Sequence, residues 1–482
     1  MSTHKIWNRT LLLFAVLLLA ATVGCGKVAP PAASPAPSEE PVTIVAPSAE
    51  PSPTPIPAPA LKYIFLFIGD GMGQNQVQAA NEALLADNRS QLLFLNFPVV
   101  GSAHTNNFEN ETTDSAAAAT AIASGKKTIN GYLGLDENKN RVTAISELLR
   151  DSGFKIGILT TVSLDHATPA GFYAHVDSRR TYDSIADDLF ASGFDFFAGG
   201  RFHETTDSAE HAAENGYAIL SSPSETASAD EKIILSSSLT FGDYGVSPAI
   251  DGGARRGWLK DSTALAISRL DNHNGFFMMV EGGRIDYFCH YNDAGSFVAE
   301  LIDMNEAVGA ALAFYAAHPT ETLILVTADH ETGDVSLTSG DRSALLRQTI
   351  SCDTCDDTLV AQCVSAKTPF AEALPLFAKA FGLENLTPEE TASLEKAYAH
   401  TLKGDLSSSK ANEEYGVYEP MTSACASIVA ARAGVHFGSG GHTSQAVSVY
   451  ALGVGSEFFE GFYENTKIHD AILQALATYP MK

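Results

Sequence analysis

Acidic and imidazole side chains follow the apolar runs of this sequence. If those runs are buried strands, these side chains lie at the edge of a sheet. Side chains of these two types ligate metal ions and transfer protons. Each one alone could be an ordinary turn residue or a surface pair, but their joint occurrence favours a site. The residues are Asp70 after "YIFLFIG"; Glu281, Asp286 and His290 in "GFFMMVEGGRIDYFCH"; Asp329 and His330 after "TLILVTA"; and His442 in "GSGGHTSQ".

The spacing of Asp286 and His290 suits a shared metal ligand set. The two residues are four apart, so a helix would place them on one face. His442 lies in a glycine-rich loop that permits close approach of the backbone. Together the three side chains form a mixed nitrogen and oxygen set, which is typical of zinc with an open position for substrate.

A second set of the same kind comes from Asp329 and His330, to which Asp70 could bridge. Glu281 together with hydroxyl oxygens would suit a hard cation such as Mg²⁺. Two neighbouring metal ions can hold the attacking and leaving oxygens of a displacement at phosphorus. The residue types alone therefore point to metal-assisted chemistry.

The segment "TTDSAAAATAIASG" predicts a short helix that begins near Ser115 and ends at Gly125. Asp114 or Thr113 can cap its start, alanine favours helix, and glycine favours the end. Ser115 is then either part of an ordinary capped helix or a reactive group presented at a helix N-terminus. That position favours bound phosphate or a developing oxyanion.

Strands alternating with helices must position these residues. Apolar runs predict five strands, and helix-like segments between them, such as residues 142–153 and 297–318, predict helices. This alternation indicates an α/β fold with a mostly parallel central sheet flanked by helices. Residues 335–435 lack the pattern and contain "TPEETASLEKAYAHTL", so we expect a cap or insertion there. In such sheets ligands bind outside the carboxyl ends of the strands. The strands begin the segments "LKYIFLFIGDGMG", "KIGILTTVS", "GFFMMVEGG", "TLILVTADHETGD" and "VSVYALGVG".

The N-terminal part of the chain predicts export. Residues 1–24 have a basic start and an apolar stretch too short to span a bilayer, which is typical of a signal peptide. Cys25 follows Gly24 and resembles the lipidated cysteine of bacterial lipoproteins, although Thr22 stands where leucine is usual. Plain secretion is the alternative. Residues 25–60 are rich in Pro, Ala and Ser and predict a semi-rigid linker, with the catalytic domain over 61–482.

Charge and cysteine content narrow the possible partners. The formal net charge of -27 argues against a nucleic-acid partner, which would require a basic patch. Cys352, Cys355 and Cys363 lie within twelve residues of each other, and for an exported protein we expect a disulfide among them. A small zinc knuckle is the alternative.

Six segments, in this order, resemble the motifs of bacterial alkaline phosphatases, and Cys25 indicates a lipoprotein form of that family. The resemblance covers most of residues 61–482 and is weakest over 201–250 and 345–430. The segments are "FLFIGDGMG", "TTDSAAAATAIASG", "DHATPAGFYAHVDSR", "VEGGRIDYFCH", "VTADHETG" and "GGHTSQ".

The resemblance implies a role for each matched residue. His166 and Tyr287 stand where members of the family differ, which leaves rate, pH optimum and Mg²⁺ dependence open. Arg180 is next to Arg179, but Arg179 fits the family register better. The implied roles are Ser115 as nucleophile and Arg179 as the phosphate-binding guanidinium; Asp286, His290 and His442 as ligands of one Zn²⁺; Asp70, Asp329 and His330 as ligands of a second; Asp70, Thr168 and Glu281 as ligands of Mg²⁺; and His166 and Tyr287 as groups that position phosphate and water.

The implied activity is hydrolysis of small phosphate monoesters through a phosphoserine intermediate, at a site with two Zn²⁺ and one Mg²⁺. Two alternatives stay open: a phosphodiesterase of the same superfamily, and a non-catalytic surface lipoprotein that binds metal or phosphate. The implied location is the bacterial cell envelope, on its periplasmic or extracellular face, through the N-terminal lipid. Homodimerisation, which is frequent in the family, is a further expectation.

Overall fold

The computed structural model describes residues 58–203, 208–228, 231–240, 244–404 and 418–481. The predicted signal peptide, Cys25 and the linker up to residue 57 lie outside the described residues. Within these ranges, no helix is both long enough and apolar enough to span a membrane.

A ten-stranded, mostly parallel sheet forms the centre of the fold and confirms the predicted fold class. Its spatial order is β14-β2-β13-β8-β1-β7-β3-β4-β6-β5. Among these strands β13 is antiparallel to both of its neighbours. The strands are β1 (Tyr63–Gly69), β2 (Val99–His104), β3 (Lys155–Thr160), β4 (Phe196–Gly199), β5 (Tyr217–Leu220), β6 (Lys232–Ser236), β7 (Phe276–Gly282), β8 (Thr322–Ala328), β13 (Val447–Gly453) and β14 (Gly461–Glu464).

The three central strands β7, β1 and β8 are buried along their whole length. Helices on both faces of a sheet require such continuously apolar strands. Their register places Gly69 of β1 level with Gly282 of β7 and Ala328 of β8. The residues that follow these three positions therefore leave the sheet at the same edge, as predicted.

Helices surround the sheet, and the segments predicted around residues 142–153, 297–318 and 387–402 are helical. The helices are α1 (Gln74–Ala86), α2 (Ser115–Ser124), α3 (Ile145–Asp151), α4 (Ala167–Ala170), α5 (Tyr182–Ala191), α6 (Ser208–Glu214), α7 (Trp258–Leu270), α8 (Arg284–His290), α9 (Ala294–Ala317), α10 (Cys352–Cys355), α11 (Ala361–Ala366), α12 (Phe370–Ala380), α13 (Pro388–Lys403), α14 (Pro420–Ala433) and α15 (Thr466–Thr478).

Residues 335–435 form a mainly helical segment in their described part, which contains α10 to α14. The segment begins with β10 (Val335–Leu337) and leads into β11 (Val435–Phe437), and these two strands pair antiparallel. The pairing closes the base of the segment next to the strand edge. Two further short strands, β9 (Glu331–Thr332) and β12 (His442–Thr443), pair antiparallel beside it.

The disulfide predicted among Cys352, Cys355 and Cys363 is wrong in this structure, where all three are free thiols. Each is buried and faces a different neighbour: Cys352 contacts Asp293, Cys355 contacts Thr422, and Cys363 contacts Tyr398. Each thiol interacts with its own neighbour instead of forming a bond to another cysteine. The zinc-knuckle alternative also fails within the described residues, since these cysteines form no metal-binding group.

Candidate active site

Three groups of side chains at the carboxyl edge of the sheet could each hold a metal ion. In each group one ligand atom per residue lies within 4.8 Å of the others. The structure thus brings the acidic and imidazole residues predicted from the sequence together at one edge. The groups are Asp286, His290 and His442; Asp70, Asp329 and His330; and Asp70, His166 and Glu281.

The first group has the spacing of ligands around one ion. His290 Nε2 lies 3.1 Å from Asp286 Oδ2 and 3.2 Å from His442 Nε2. His442 Nε2 lies 3.6 Å from Asp286 Oδ1. Bonds of about 2.0–2.1 Å in a tetrahedral zinc site separate ligand atoms by about 3.3 Å. Helix α8 sets two of the three ligands, because its residues four apart share a face.

The imidazoles of this group are oriented by their other ring nitrogens. His290 Nδ1 donates to the carbonyl of Gly440 at 2.7 Å, and His442 Nδ1 donates to the carbonyl of Thr113 at 2.9 Å. Since a carbonyl only accepts, the proton of each neutral ring lies on Nδ1 and the lone pair on Nε2. With both rings neutral, the two Nε2 lone pairs would lie 3.2 Å apart and repel each other, and a metal ion bound by both would remove that repulsion.

The second group lies in the interior. His330 Nε2 is 3.2 Å from Asp329 Oδ2 and 3.4 Å from Asp70 Oδ1, and all three side chains are fully buried. Both carboxylate oxygens lack a hydrogen-bond donor. Buried carboxylate oxygens without donors are unusual, and a cation is the partner that would compensate them.

Two hydroxyls contact the third group: Thr168, which the resemblance implied for a Mg²⁺ site, and Thr160, which was not predicted. Thr168 donates to Asp70 Oδ2 at 3.0 Å, and Thr160 donates to Glu281 Oε2 at 2.5 Å. Glu281 Oε1 stays without a donor, as does Nδ1 of His166. The sequence placed His166 with the groups that position phosphate and water, whereas the structure also brings it into this donor set.

Burial, and after it the mutual repulsion of the carboxylates, favours the protonated forms of three acidic side chains in the site. Burial raises the pKa of Asp70 well above its usual range, and the nearby Asp329 raises it further. Burial likewise raises the pKa of Glu281, with Asp70 adding to the effect. Burial and Asp286 raise the pKa of Asp329 to about 8. Cations in the three groups would remove this repulsion, so the residues present fit metal ions.

The histidines of the interior are suited to act as neutral ligands. Burial lowers the pKa of His330, and burial with the Arg179 charge lowers the pKa of His166 to about 3. His290 differs: burial would lower its pKa, but the hydrogen bond with Asp286 raises it to about 9. The same contact lowers the pKa of Asp286 although burial alone would raise it.

Ser115 is the first residue of α2 and lies against the second group. Its Oγ is 3.3 Å from His330 Nε2. The Asp114 side chain caps the helix by accepting from the Ala117 N–H at 3.0 Å, and Gly125 ends it in a left-handed conformation with φ 69°. The predicted helix is thus confirmed with Asp114 as its cap. The serine hydroxyl meets the donor groups at the positive end of the helix.

Small residues let α2 pack closely below the site. Every residue of α2 is buried, and the helix packs on α4 and α15. A Cβ on Gly171, which ends α4, would lie 2.6 Å from the Cβ of Ala119. Gly71 has a similar constraint: its φ is 71°, and a Cβ there would lie 2.9 Å from Asp286 Cα and from Thr332 Oγ1.

Arg179 lies beside the start of α2, where it contacts the capping residue. Its guanidinium donates to Asp114 Oδ2 at 3.1 Å and lies 3.3 Å from His166 Nε2. The neighbouring Arg180 is exposed and makes neither contact. Asp114 therefore holds the arginine and the serine-bearing helix in one arrangement. Tyr287 lies beside them, with its ring centroid 6.1 Å from that of His166.

Sequence reasoning missed two residues that tie the ligands together. Thr332 donates to Asp286 Oδ1 at 2.5 Å and lies 3.3 Å from His330 Nδ1, so it links two donor groups. Glu331, which is buried, accepts from Gln76 at 2.8 Å and from Thr443 at 2.5 Å, which fixes β9 to β12 beside His442. The sequence carried one signal for Thr332. In a strand after His330, every second residue lies on the same face, so Thr332 would lie on the same side as His330.

A mostly parallel α/β sheet with a serine, an arginine and clustered metal ligands at its carboxyl edge defines a class of metal-dependent hydrolases. The family model described as "Alkaline phosphatase" matches residues 61–197 and 200–478. The chain therefore belongs to the alkaline phosphatase family and is a phosphatase.

Relatives and solved structures agree. Alkaline phosphatase 4 of Bacillus subtilis (strain 168) is 30% identical over 390 residues, which are 78% of this chain and 79% of that protein. The cold-active alkaline phosphatase of the psychrophile Shewanella sp. has a TM-score of 0.73 at 26% identity and covers 86% of this chain and 99% of its own. A mutant of TAB5 alkaline phosphatase with Mg bound in its M3 site has a TM-score of 0.62 at 26% identity, covering 88% and 100%.

Proposed function

We propose that the protein hydrolyses small phosphate monoesters through a phosphoserine intermediate at Ser115, with two Zn²⁺ and one Mg²⁺ at the three donor groups. The position of the Ser115 hydroxyl carries the proposal. It lies at a helix N-terminus, 3.3 Å from His330 Nε2, and the preceding residue, Asp114, holds Arg179 at 3.1 Å. A protein that only bound metal would not need a hydroxyl there.

The binding of the phosphoryl group follows from Arg179. A planar guanidinium can donate two parallel hydrogen bonds to phosphoryl oxygens. Asp114 and His166 contact this guanidinium from the protein side, which limits its rotation. The first-turn N–H groups of α2 add positive potential in front of Ser115. Together they would hold phosphorus in front of the serine hydroxyl.

In the reaction, Ser115 Oγ forms a bond to phosphorus while the bond from phosphorus to the alcohol oxygen breaks. Water then attacks the phosphoserine, releases inorganic phosphate and restores the hydroxyl. Bound at the three groups, the metal ions would supply Lewis-acid stabilisation of negative charge and lower the pKa of a nucleophile. Asp286, His290 and His442 would hold one Zn²⁺; Asp70, Asp329 and His330 the second; and Asp70, Glu281 and Thr168, with His166 beside them, the Mg²⁺.

Steady-state and burst kinetics on the metal-loaded protein test the proposal against its alternatives. We expect a phosphate monoester to be turned over well, a diester poorly, and Ser115→Ala to abolish the burst of released alcohol. Faster turnover of the diester would favour the phosphodiesterase alternative. Absence of turnover with either substrate, despite bound metal, would favour a binding lipoprotein.

Metal analysis by mass spectrometry tests the cofactors separately. The proposal requires two zinc ions per chain together with magnesium. Fewer than two transition-metal ions in an active preparation would contradict it. Substitution at Asp286 and at Asp329 should each remove one zinc ion, because the two residues belong to different donor groups.

We also propose that lipid on Cys25 anchors the enzyme at the bacterial envelope and that it acts there as a homodimer. The basis is the sequence of residues 1–25 and the resemblance to the family. Intact mass of the N-terminal peptide from its host would reveal the lipid, and Cys25→Ser should release the protein into the soluble fraction. Light scattering of the purified protein measures its oligomeric state, and a monomeric mass would contradict the dimer.

A further inference from the structure

Two cavities with shared lining residues lie beside Arg179, and the one that Arg179 itself lines is called the inner cavity. The inner cavity, of about 380 Å³, is lined by the candidate phosphate-binding residues Arg179, His166 and Asp114. The outer cavity, of about 530 Å³, reaches the start of α5. Arg180, Tyr182 and His203 line both cavities. A substrate whose phosphoryl group lies at Arg179 would therefore extend its organic part along these shared side chains.

Aromatic rings form the shared wall. The rings of His203 and Tyr182 are stacked, with centroids 3.8 Å apart and planes 7° from parallel. Tyr244 packs on His203 at 4.6 Å and lines the outer cavity, while Tyr287 lines the inner one. These rings are partly exposed rather than buried in the core. They offer a surface on which a further ring can stack.

Buried contacts hold this surface in place. Asp165 is fully buried and accepts two hydrogen bonds from His203, from its backbone N–H and from Nδ1, both at 2.8 Å. Asp165 immediately precedes His166, which lines the inner cavity. The aromatic surface is thus fixed by the same loop that supplies a candidate site residue, so its position relative to the phosphate site is set by the fold.

The charges around the outer cavity favour a planar ring over a second anion. Arg180 could stack on such a ring, as guanidinium groups do on aromatic faces. Asp183 lines the outer cavity as well and would repel an anionic leaving group. Arg201 lies over the ring of Tyr244 at 5.7 Å, so a cation–π contact already exists at this wall.

We propose that Tyr182, His203, Tyr244 and Arg180 form a subsite for a planar ring in the leaving group of the substrate. Such a ring is the nucleobase of a nucleotide or the aryl ring of an aromatic phosphate ester. The inference rests on the proposed function, because it uses Arg179 as the point where the phosphoryl group binds. It names phosphomonoesters with a planar ring as the substrate class.

Matched substrate pairs test the subsite. Adenosine 5′-monophosphate and ribose 5-phosphate differ by the base, and 2-phenylethyl phosphate and ethyl phosphate differ by the phenyl ring. We expect higher kcat/KM for the ring-bearing member of a pair, and about a tenfold loss of that preference in Tyr182→Ala, since stacking on one aromatic side chain is worth roughly that factor. Tyr182→Phe should keep the preference. If the enzyme prefers the ring-bearing substrate in both pairs, the subsite binds any planar ring. If it does so in the nucleotide pair alone, the subsite is specific for nucleotides.

A binding measurement separates failure of the subsite from failure of the proposed function. In the metal-loaded Ser115→Ala protein, adenosine 5′-monophosphate should bind more tightly than ribose 5-phosphate, and Tyr182→Ala in that background should equalise the two. Phe462→Ala, an exposed ring on the edge strand β14, serves as control and should change neither ratio. Equal affinities for the pair, or a ratio that Tyr182→Ala leaves unchanged, overturn the subsite whatever the role of Ser115. A wild-type protein without monoesterase activity overturns the proposed function instead.

Discussion

Two buried clusters of charge in this protein are balanced in opposite ways. In the cluster around Arg255, the guanidinium donates to Asp303 at 2.8 Å and to Glu300 at 3.3 Å, and none of the three side chains is more than 5% exposed. At the carboxyl edge of the sheet, Asp70 and Asp329 are fully buried, and one oxygen of each carboxylate, Oδ1 of Asp70 and Oδ2 of Asp329, accepts from no donor. The first cluster contains its own cation, and the second does not.

The difference shows how a structural ion network is told apart from a metal site. A buried carboxylate is tolerated when a protein cation or several donors compensate it. The Arg255 cluster meets that condition through Arg255 and the Ala249 N–H, which donates to Glu300 at 2.7 Å. The site cluster meets it only when cations from solution bind. Removing charge should therefore have opposite consequences for stability in the two clusters.

The largest effect is expected from Asp70→Asn, because Asp70 belongs to two donor groups. Monoesterase activity should fall by more than about 10³-fold, as expected when charge stabilisation at a reacting phosphoryl group is lost. In the chelated protein the same substitution should raise the melting temperature, and more so at higher pH, since it removes a buried carboxyl group that repels its neighbours when it ionises. The matched control Asp303→Asn should keep activity within a few-fold. A lower melting temperature of the chelated Asp70→Asn protein would show that the carboxylate of Asp70 does not destabilise the metal-free protein.

Arg255→Met should break the self-balanced cluster. It leaves two buried carboxylates without their cation, which costs about 3 to 5 kcal/mol in the free energy of unfolding. Denaturant unfolding of the metal-loaded protein measures the loss, and kcat of the folded fraction should hardly change. Unaltered stability would show that Arg255 does not compensate Glu300 and Asp303.

The metal-loaded protein should melt at a higher temperature than the chelated protein. This difference in melting temperature should grow as pH rises from about 7 to 9. The folded-state pKa values of Asp70, Glu281, Asp329 and His290 are all raised, to about 8 for Asp329 and about 9 for His290. Groups with raised pKa values stabilise the fold at low pH, and that contribution is lost as pH passes through the folded value. Bound cations replace those protons in the loaded protein. Calorimetry at matched pH tests this, and a constant difference would contradict it.

A smaller effect is expected from Arg179→Lys. Lysine keeps the positive charge but cannot donate two parallel hydrogen bonds, so kcat/KM for a monoester should fall by about tenfold. The melting temperature should change little, because Arg179 is partly exposed. Arg180→Lys is the neighbouring control and should leave kcat/KM for ethyl phosphate unchanged. Equal effects of the two substitutions would contradict the assignment of Arg179.

The sequence predicted the parts of the fold and site that depend on strong local patterns. β1, β3, β7, β8 and β13 are long or continuously apolar, so they were predictable. Strands β2 and β14 alternate or are exposed, and the sequence did not reveal them. The capped helix at Ser115 also followed from local propensity, because its cap and its end are close in sequence.

Features that depend on distant packing could not be predicted. The place of His166 in the third donor group is set by β7, which is more than a hundred residues away in the chain. Thr332 and Glu331 act through hydrogen bonds to other elements. The cysteine spacing suggested a disulfide, but the orientation of each thiol depends on which helix packs against it.

Trapping the covalent intermediate tests directly whether Ser115 is the nucleophile. The metal-loaded protein is mixed with a phosphate monoester, quenched in acid, digested and mapped by mass spectrometry. We expect one phosphoryl group on the peptide that contains Ser115, and none in Ser115→Ala. A wild-type protein that hydrolyses monoesters while Ser115 stays unmodified, or that carries the phosphoryl group on another residue, would contradict it.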